Sequence, residues 1–337
     1  MEILIWGAGA IGGVIGAYLA RAGHAVSFVD RAADHVAAIN ARGLSISGPI
    51  DQFTVHAPAF TPDDLSAQFR HVLLCVKAQD TEAAALALAP HLAADGWVLS
   101  AQNGLNELVL ARIIGAARTI GAFVNFGADY LEPGLITYSG RGAVVVGELD
   151  GEITPRLETL HKLLLDFEPN AITTTNIWGF LWGKLAYGAQ LFATALTNEG
   201  IADCLADPRY QNVYIAVAQE VLTVAAAEGV QPEAFNGFNP AAFLPDAAPA
   251  LSLRSLEEMV AFNRRSAKTH SGIWRDLAVR KRRTEVDAQL GSVVEIGHRH
   301  GIPTPLTAAI VTMIHEIEQG VRPLQTANLD ELKGLLP

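Results

Sequence analysis

The chain has 337 residues, half of them hydrophobic and 18% charged, with a formal net charge of −11. That length implies two domains rather than one core, and the acidic balance excludes nucleic acid or an anionic membrane surface as the main partner, because both require a cationic face. No apolar run reaches the ~18 residues of a membrane span, no cationic segment precedes the first apolar run as in a signal peptide, and the distant Cys75 and Cys204 make no disulfide framework, so a cytoplasmic location is expected.

Ile3–Trp6 is a short apolar run followed by a glycine-rich turn, and small and apolar residues continue at helical spacing from Ile11 to Ala22. Ala25–Asp30 is strand-like and Ala32–Ala41 helical. Strand-like runs recur at Gln52–His56, His71–Val76 and Trp97–Ser100, with helical stretches at Thr81–Leu92 and Asn106–Ile114. Such alternation predicts a parallel sheet wrapped by helices. From Arg118 to Gly147 the text is β-rich, consistent with antiparallel strands finishing the sheet. Thr154-Pro155 has the form of an N-cap with proline at the first helical position, opening a helix to about Asp166. A last strand, Ala171–Thr174, would close a first domain of residues 1–174. From Asn176 the text is helical almost throughout, with one long break at Asn236–Pro249, giving a second domain of residues 175–337. The expected fold class is α/β: a dinucleotide-binding domain followed by an all-helical one.

Gly7-Ala8-Gly9-Ala10-Ile11-Gly12 fits the G-x-G-x-x-G fingerprint, after a strand and at the start of a helix. The glycines serve a tight turn, close approach of a pyrophosphate and helix–strand packing, and the helix N-terminus offers free N–H groups to phosphate. Asp30 stands 18 residues past Gly12, at the end of the next strand. An acid there accepts hydrogen bonds from the adenosine ribose and disfavours a 2′-phosphate, whereas the adjacent Arg31 could pair with that phosphate. Local electrostatics therefore lean toward NAD. Lys77 and Asn103 each follow a strand, at the sheet edge where α/β proteins bind ligands.

In the helical half, Lys184 sits among Trp178, Phe180, Leu181, Trp182, Leu185 and Tyr187. Such a lysine either snorkels to the surface or lines a cleft, where desolvation lowers its pKa toward that of a general acid. Glu285 could pair with such a lysine or with a substrate hydroxyl; alternatively it balances Arg280, Lys281, Arg282 and Arg283 at the surface.

With these motifs in order (GAGAIG, CVKA, QNG, the W-x-K-L helix, TEVD and HGIPTP) the chain resembles the ketopantoate reductase family over nearly its whole length. The resemblance implies an N-terminal Rossmann domain, a helical C-terminal domain, an active site between them, and hydride transfer from NADPH or NADH to the ketone of a 2-oxo acid. It implies Lys184 as the general acid, Asn103 as the residue ordering that lysine and the cofactor, Lys77 as the loop lysine near the cofactor, and Glu285 as the partner of a substrate hydroxyl. Arg31 falls where the family often holds the 2′-phosphate, so Asp30 and the family point to different cofactors and NAD(P) is left open. No metal is assigned, and a homodimer is implied by the family alone.

Two departures bear on substrate. Pantoate-making members usually carry asparagines four and eight residues after the lysine, where this chain has Gly188 and Phe192. A roomier, more apolar wall is expected, suited to ketopantoate or a bulkier 2-oxo acid. Ser271 is the candidate for the substrate carboxylate, with Lys268 and His270 as nearby cations. The alternatives are a β-hydroxyacid or opine-type dehydrogenase, or a non-catalytic dinucleotide-sensing protein.

Overall fold

In the computed structural model, which describes residues 1–265 and 269–336, the alternation resolves into a ten-stranded sheet with helices over it, then a helical region. The elements run β1 (Glu2–Trp6), α1 (Ala10–Arg21), β2 (Ala25–Val29), α2 (Ala33–Arg42), β3 (Leu44–Ser47), β4 (Phe53–Val55), β5 (Ala59–Phe60), β6 (Phe69–Leu74), α3 (Thr81–Leu88), β7 (Leu92–Ser100), α4 (Asn106–Ile114), β8 (Thr119–Glu132), β9 (Leu135–Glu148), α5 (Pro155–Leu164) and β10 (Ile172–Thr173). The sheet order is β4-β3-β9-β8-β7-β6-β1-β2-β5, with β10 paired to β9. Every pair from β5 across to β8 is parallel, and the long β8–β9 hairpin is antiparallel.

Strand residues alternate between the two sheet faces, and β1 uses both. Ile3 and Ile5 join the cluster that contains Val14, Ile15 and Phe28, while Leu4 and Trp6 join the one that contains Leu74, Ala85 and Leu110. Burial on both faces is why β1 is a continuous apolar run rather than an alternating one. The chain leaves β1 toward β2 on one side and returns at β6 on the other. The carboxyl ends of β1, β2 and β6 therefore flank the switch point where open α/β sheets bind ligands.

Thr154 caps α5 as its sequence implies, accepting a hydrogen bond from the Leu157 N–H at 3.2 Å. Two strands were not anticipated: the four-residue β3 and the two-residue β5. The third helix is shorter than expected, because Pro90 follows it and the chain re-enters the sheet at Leu92.

The chain divides into two compact units, Met1–Ile177 and Trp178–Pro337. The second is built from α6 (Ile177–Thr194), α7 (Ile201–Ala206), α8 (Gln211–Ala227), α9 (Pro249–Arg264), α10 (Gly272–Trp274), α11 (Ser292–Arg299), α12 (Pro305–Glu318) and α13 (Ala327–Lys333). Its described residues show a further irregular stretch that the sequence did not announce. Arg275–Val279 and Asp287–Gly291 are π-helical turns flanking an irregular stretch, 280–285, in which Lys281 adopts φ 51°. Wide turns of this kind recur at functional sites; here they bracket Glu285.

Candidate active site

The glycine loop shows a separate cause for each glycine. Gly7 adopts φ +100°, and a Cβ there would lie 2.8 Å from the Val76 nitrogen. A Cβ on Gly12 would run into the Gly7 carbonyl and sit 2.7 Å from Cys75 Cβ, so this glycine lets α1 press onto the sheet. Gly13 and Gly16, absent from the six-residue fingerprint, do the same against Ile136 and Phe28. Gly9 differs: a Cβ there would meet no protein atom within 4 Å. It is the N-cap of α1, no side chain caps that end, and no acid occupies its first turn. The N–H groups at Ala10, Ile11 and Gly12 thus face an open cradle at the positive end of a helix, which suits a pyrophosphate.

Both polar groups of the Ala8 residue are held by side chains. Asp30 Oδ2 accepts from the Ala8 N–H at 2.9 Å, and Oδ1 accepts from the Ala32 N–H at 3.0 Å. His35, 1% exposed, donates from Nε2 to the Ala8 carbonyl at 2.9 Å while Nδ1 accepts the Gly134 N–H at 2.9 Å. That Gly134 bond places the ring proton on Nε2. Asp30 is therefore a fastener of the loop as well as a candidate for the ribose, for which its oxygens keep further lone pairs. Arg31 extends into solvent and pairs with Asp80 at 2.9 Å. Nothing in the sequence had singled out His35 or Asp80. Beneath the loop, burial pushes the Cys75 thiol up to about 12; Cys75 and Cys204 are both free.

Lys77 is exposed at the end of the turn after β6, and Asn103 is half-buried after β7. A buried polar network joins these two loops. Gln102 Nε2 donates to the Val76 carbonyl at 3.0 Å and to Thr81 Oγ1 at 2.7 Å. The Thr81 hydroxyl lies 2.8 Å from both the Ala78 carbonyl and Asn106 Oδ1. Asn106 Nδ2 donates to the Asn103 carbonyl at 2.6 Å.

In the helical unit, Lys184 is half-buried on α6, in line with the half-buried Phe180, Gly188 and Leu191. Its neighbour Gly183 allows the backbone at Glu233 to lie directly on the helix, where the Glu233 N–H donates to the Gly179 carbonyl at 2.9 Å. At Gly188 a Cβ would make an ordinary contact with Gln289 Oε1 at 3.7 Å and fit without strain. The expectation for Phe192 is corrected: it is fully buried and lines no open wall. Eight residues advance a helix by about 80° beyond two full turns, whereas seven return to within about 20°. Leu191, not Phe192, continues the line of Lys184.

Glu285 is 9% exposed, not a surface carboxylate; Arg280 and Arg282 instead both bond the buried Asp276, at 3.0 Å each. The Glu285 segment is fastened to α12 on either side. Glu318 Oε1 accepts from the Thr284 N–H at 2.7 Å and its hydroxyl at 2.8 Å, and His315 Nε2 bonds Asp287 Oδ1 at 2.8 Å. Ser271 is 5% exposed and spends its oxygen as the cap of α10, accepting the Trp274 N–H at 3.1 Å. His270 packs at a 30° tilt against Trp274 with ring centroids 4.0 Å apart and bonds the Asn198 carbonyl at 3.1 Å. Lys268 lies outside the described residues.

Comparison with known proteins bears on both units. The family described as "Ketopantoate reductase PanE/ApbA" matches residues 3–151, and its C-terminal counterpart matches residues 176–318. The chain is 30% identical over 323 residues to the 2-dehydropantoate 2-reductase of Archaeoglobus fulgidus, covering 95% of this chain and 99% of that one. With its counterpart from Pyrococcus horikoshii the identity is 28% over 327 residues, covering 93% and 96%. Among solved structures, a PanE/ApbA family ketopantoate reductase from Ralstonia eutropha JMP134 is similar at a TM-score of 0.80 and 29% identity, over 96% of this chain and 100% of that one. The ternary structure of D-mandelate dehydrogenase with NADH and anilino(oxo)acetate shares the fold at a TM-score of 0.83 and 20% identity, with 96% and 100% covered.

Proposed function

This chain belongs to the ketopantoate reductase family and is an oxidoreductase, and on that premise we propose that it transfers hydride between a nicotinamide dinucleotide and the ketone carbon of a small 2-oxo acid. The observation that carries this reading is the half-buried placement of Lys184 on α6, with the side-chain-free Gly188 one turn away and only Gln289 Oε1 within 4 Å of where its Cβ would be. The cradle at Gly9 and the N-terminus of α1 take the pyrophosphate, and Asp30 takes the ribose. When bound, the dinucleotide supplies or accepts the hydride. Lys184 donates a proton to the carbonyl oxygen, and its charge stabilises the alkoxide that develops there, which is often the larger effect. Asn103 and Lys77 align the cofactor side, and Glu285 accepts a hydrogen bond from the substrate.

NADH is the preferred cofactor in this reading. A 2′-phosphate would meet the Asp30 carboxylate and would have to draw Arg31 away from Asp80. An exposed ion pair of that kind is worth little, so the preference rests chiefly on Asp30. For the acid, the corrected wall carries Gly188 and Leu191, and both ketopantoate and larger apolar 2-oxo acids fit this proposal. Loss of nicotinamide absorbance, with each cofactor against a panel of 2-oxo acids, tests it. NADH oxidation coupled to formation of a 2-hydroxy acid is the expected result; a clear preference for NADPH would overturn the cofactor assignment.

A further inference from the structure

The two loops of the first unit that carry Lys77 and Asn103 are joined through a buried side-chain network, and one member of it, Thr81, touches neither substrate nor cofactor in the reading above. Thr81, Gln102 and Asn106 are 1%, 4% and 4% exposed. Of these, only Thr81 belongs to the segment after β6; Gln102 and Asn106 belong to the segment after β7. Its hydroxyl receives the Gln102 amide N–H and reaches Asn106 Oδ1, whose own amide then fixes the Asn103 carbonyl. On the near side the same Gln102 amide fixes the Val76 carbonyl, immediately before Lys77. Buried polar groups in such a chain lose their partners together when one member is removed. The geometry points to Thr81 as a positioning residue that sets Asn103 and Lys77 in register, so that the two loops act as one. This rests on the proposed role of Asn103 in turnover.

The test compares the wild type with Thr81→Val, Thr81→Ser, Asn103→Ala and the Thr81→Val/Asn103→Ala double variant. Valine keeps the shape and removes the hydroxyl; serine keeps the hydroxyl. Each protein is assayed with a 2-oxo acid that the wild type reduces. Displacing reacting groups by a fraction of an ångström is costly, so Thr81→Val is expected to lower kcat at least about tenfold and Thr81→Ser to leave it near wild type. In the Asn103→Ala background, Thr81→Val is expected to change kcat less than about twofold, because the group it positions is already gone. A Thr81→Val variant with unaltered kcat, or one whose loss is the same in both backgrounds as general loosening would give, overturns the inference. If Thr81→Val does not fold, Gln102→Met cuts the same link from the other loop and is judged in the same way. Should the wild type reduce no 2-oxo acid, the function proposed above fails separately. The same proteins are then compared by dissociation constant for NADH, where weaker binding in Thr81→Val that serine restores supports the link and equal binding overturns it.

Discussion

Gly9 and Gly12 stand three residues apart and should respond to a side chain in opposite ways. At Gly9 there is open space and a backbone any residue can adopt, with φ −70°. Gly9→Val is expected to leave the thermal midpoint unchanged and to weaken dinucleotide binding at least about tenfold by filling the cradle. At Gly12 the neighbours are a carbonyl and the Cys75 side chain. Gly12→Ala is expected to cost about 1–3 kcal/mol of stability through overpacking, read from urea unfolding. Equal behaviour of the two variants would contradict the roles assigned here. For Lys184→Ala, kcat is expected to fall on the order of 10²-fold or more if general-acid catalysis is its role, with the NADH dissociation constant unchanged. The residues with a stated motif were legible because a backbone requirement selects them, as with Gly7, Gly9 and Asp30. His35 and Thr81 were not legible, because a buried histidine or threonine has no local signature; its partners at Gly134 or Gln102 come from other elements.

At the scale of elements, α12 governs the Glu285 segment through two side chains. His315 bonds Asp287 at 2.8 Å and Glu318 at 3.2 Å. Burial alone would lower its pKa, but the hydrogen bonds and charges of those two carboxylates outweigh it, and the folded value rises above the ordinary 6.5. A histidine raised in this way contributes stability that is fully present below pH 6.5 and is lost as pH climbs through the folded value. The urea midpoint of the wild type should therefore fall between slightly acid and slightly alkaline pH by more than that of His315→Gln. Parallel pH curves for the two would remove His315 from the account. The sequence announced the parallel strands and their helices well, since doubly buried apolar runs and a Thr-Pro cap are local signals. It concealed β3 and β5, which are short and exist through pairing with β9 and β2. The π-helical turns around Glu285 were hidden as well, because their text retains helical periodicity.

At the scale of the molecule, the two compact units divide the proposed chemistry. The first carries the glycine cradle, Asp30 and the joined loops at the carboxyl edge of its parallel strands. The second carries Lys184 and Glu285. Among the described residues no helix is long and apolar enough to cross a membrane. Family membership was legible from motifs in order, whereas the neighbours of Lys184 on its helix were not: Phe192 is buried in the core, and Leu191 is the half-buried residue in line with Lys184. The most direct test is the oxidation of NADH by the purified protein with a panel of 2-oxo acids, followed beside Lys184→Ala. Formation of a 2-hydroxy acid by the wild type, lost in the variant while NADH binding persists, is the expected result. Tight NADH binding without consumption of any 2-oxo acid, or undiminished turnover without Lys184, would contradict it.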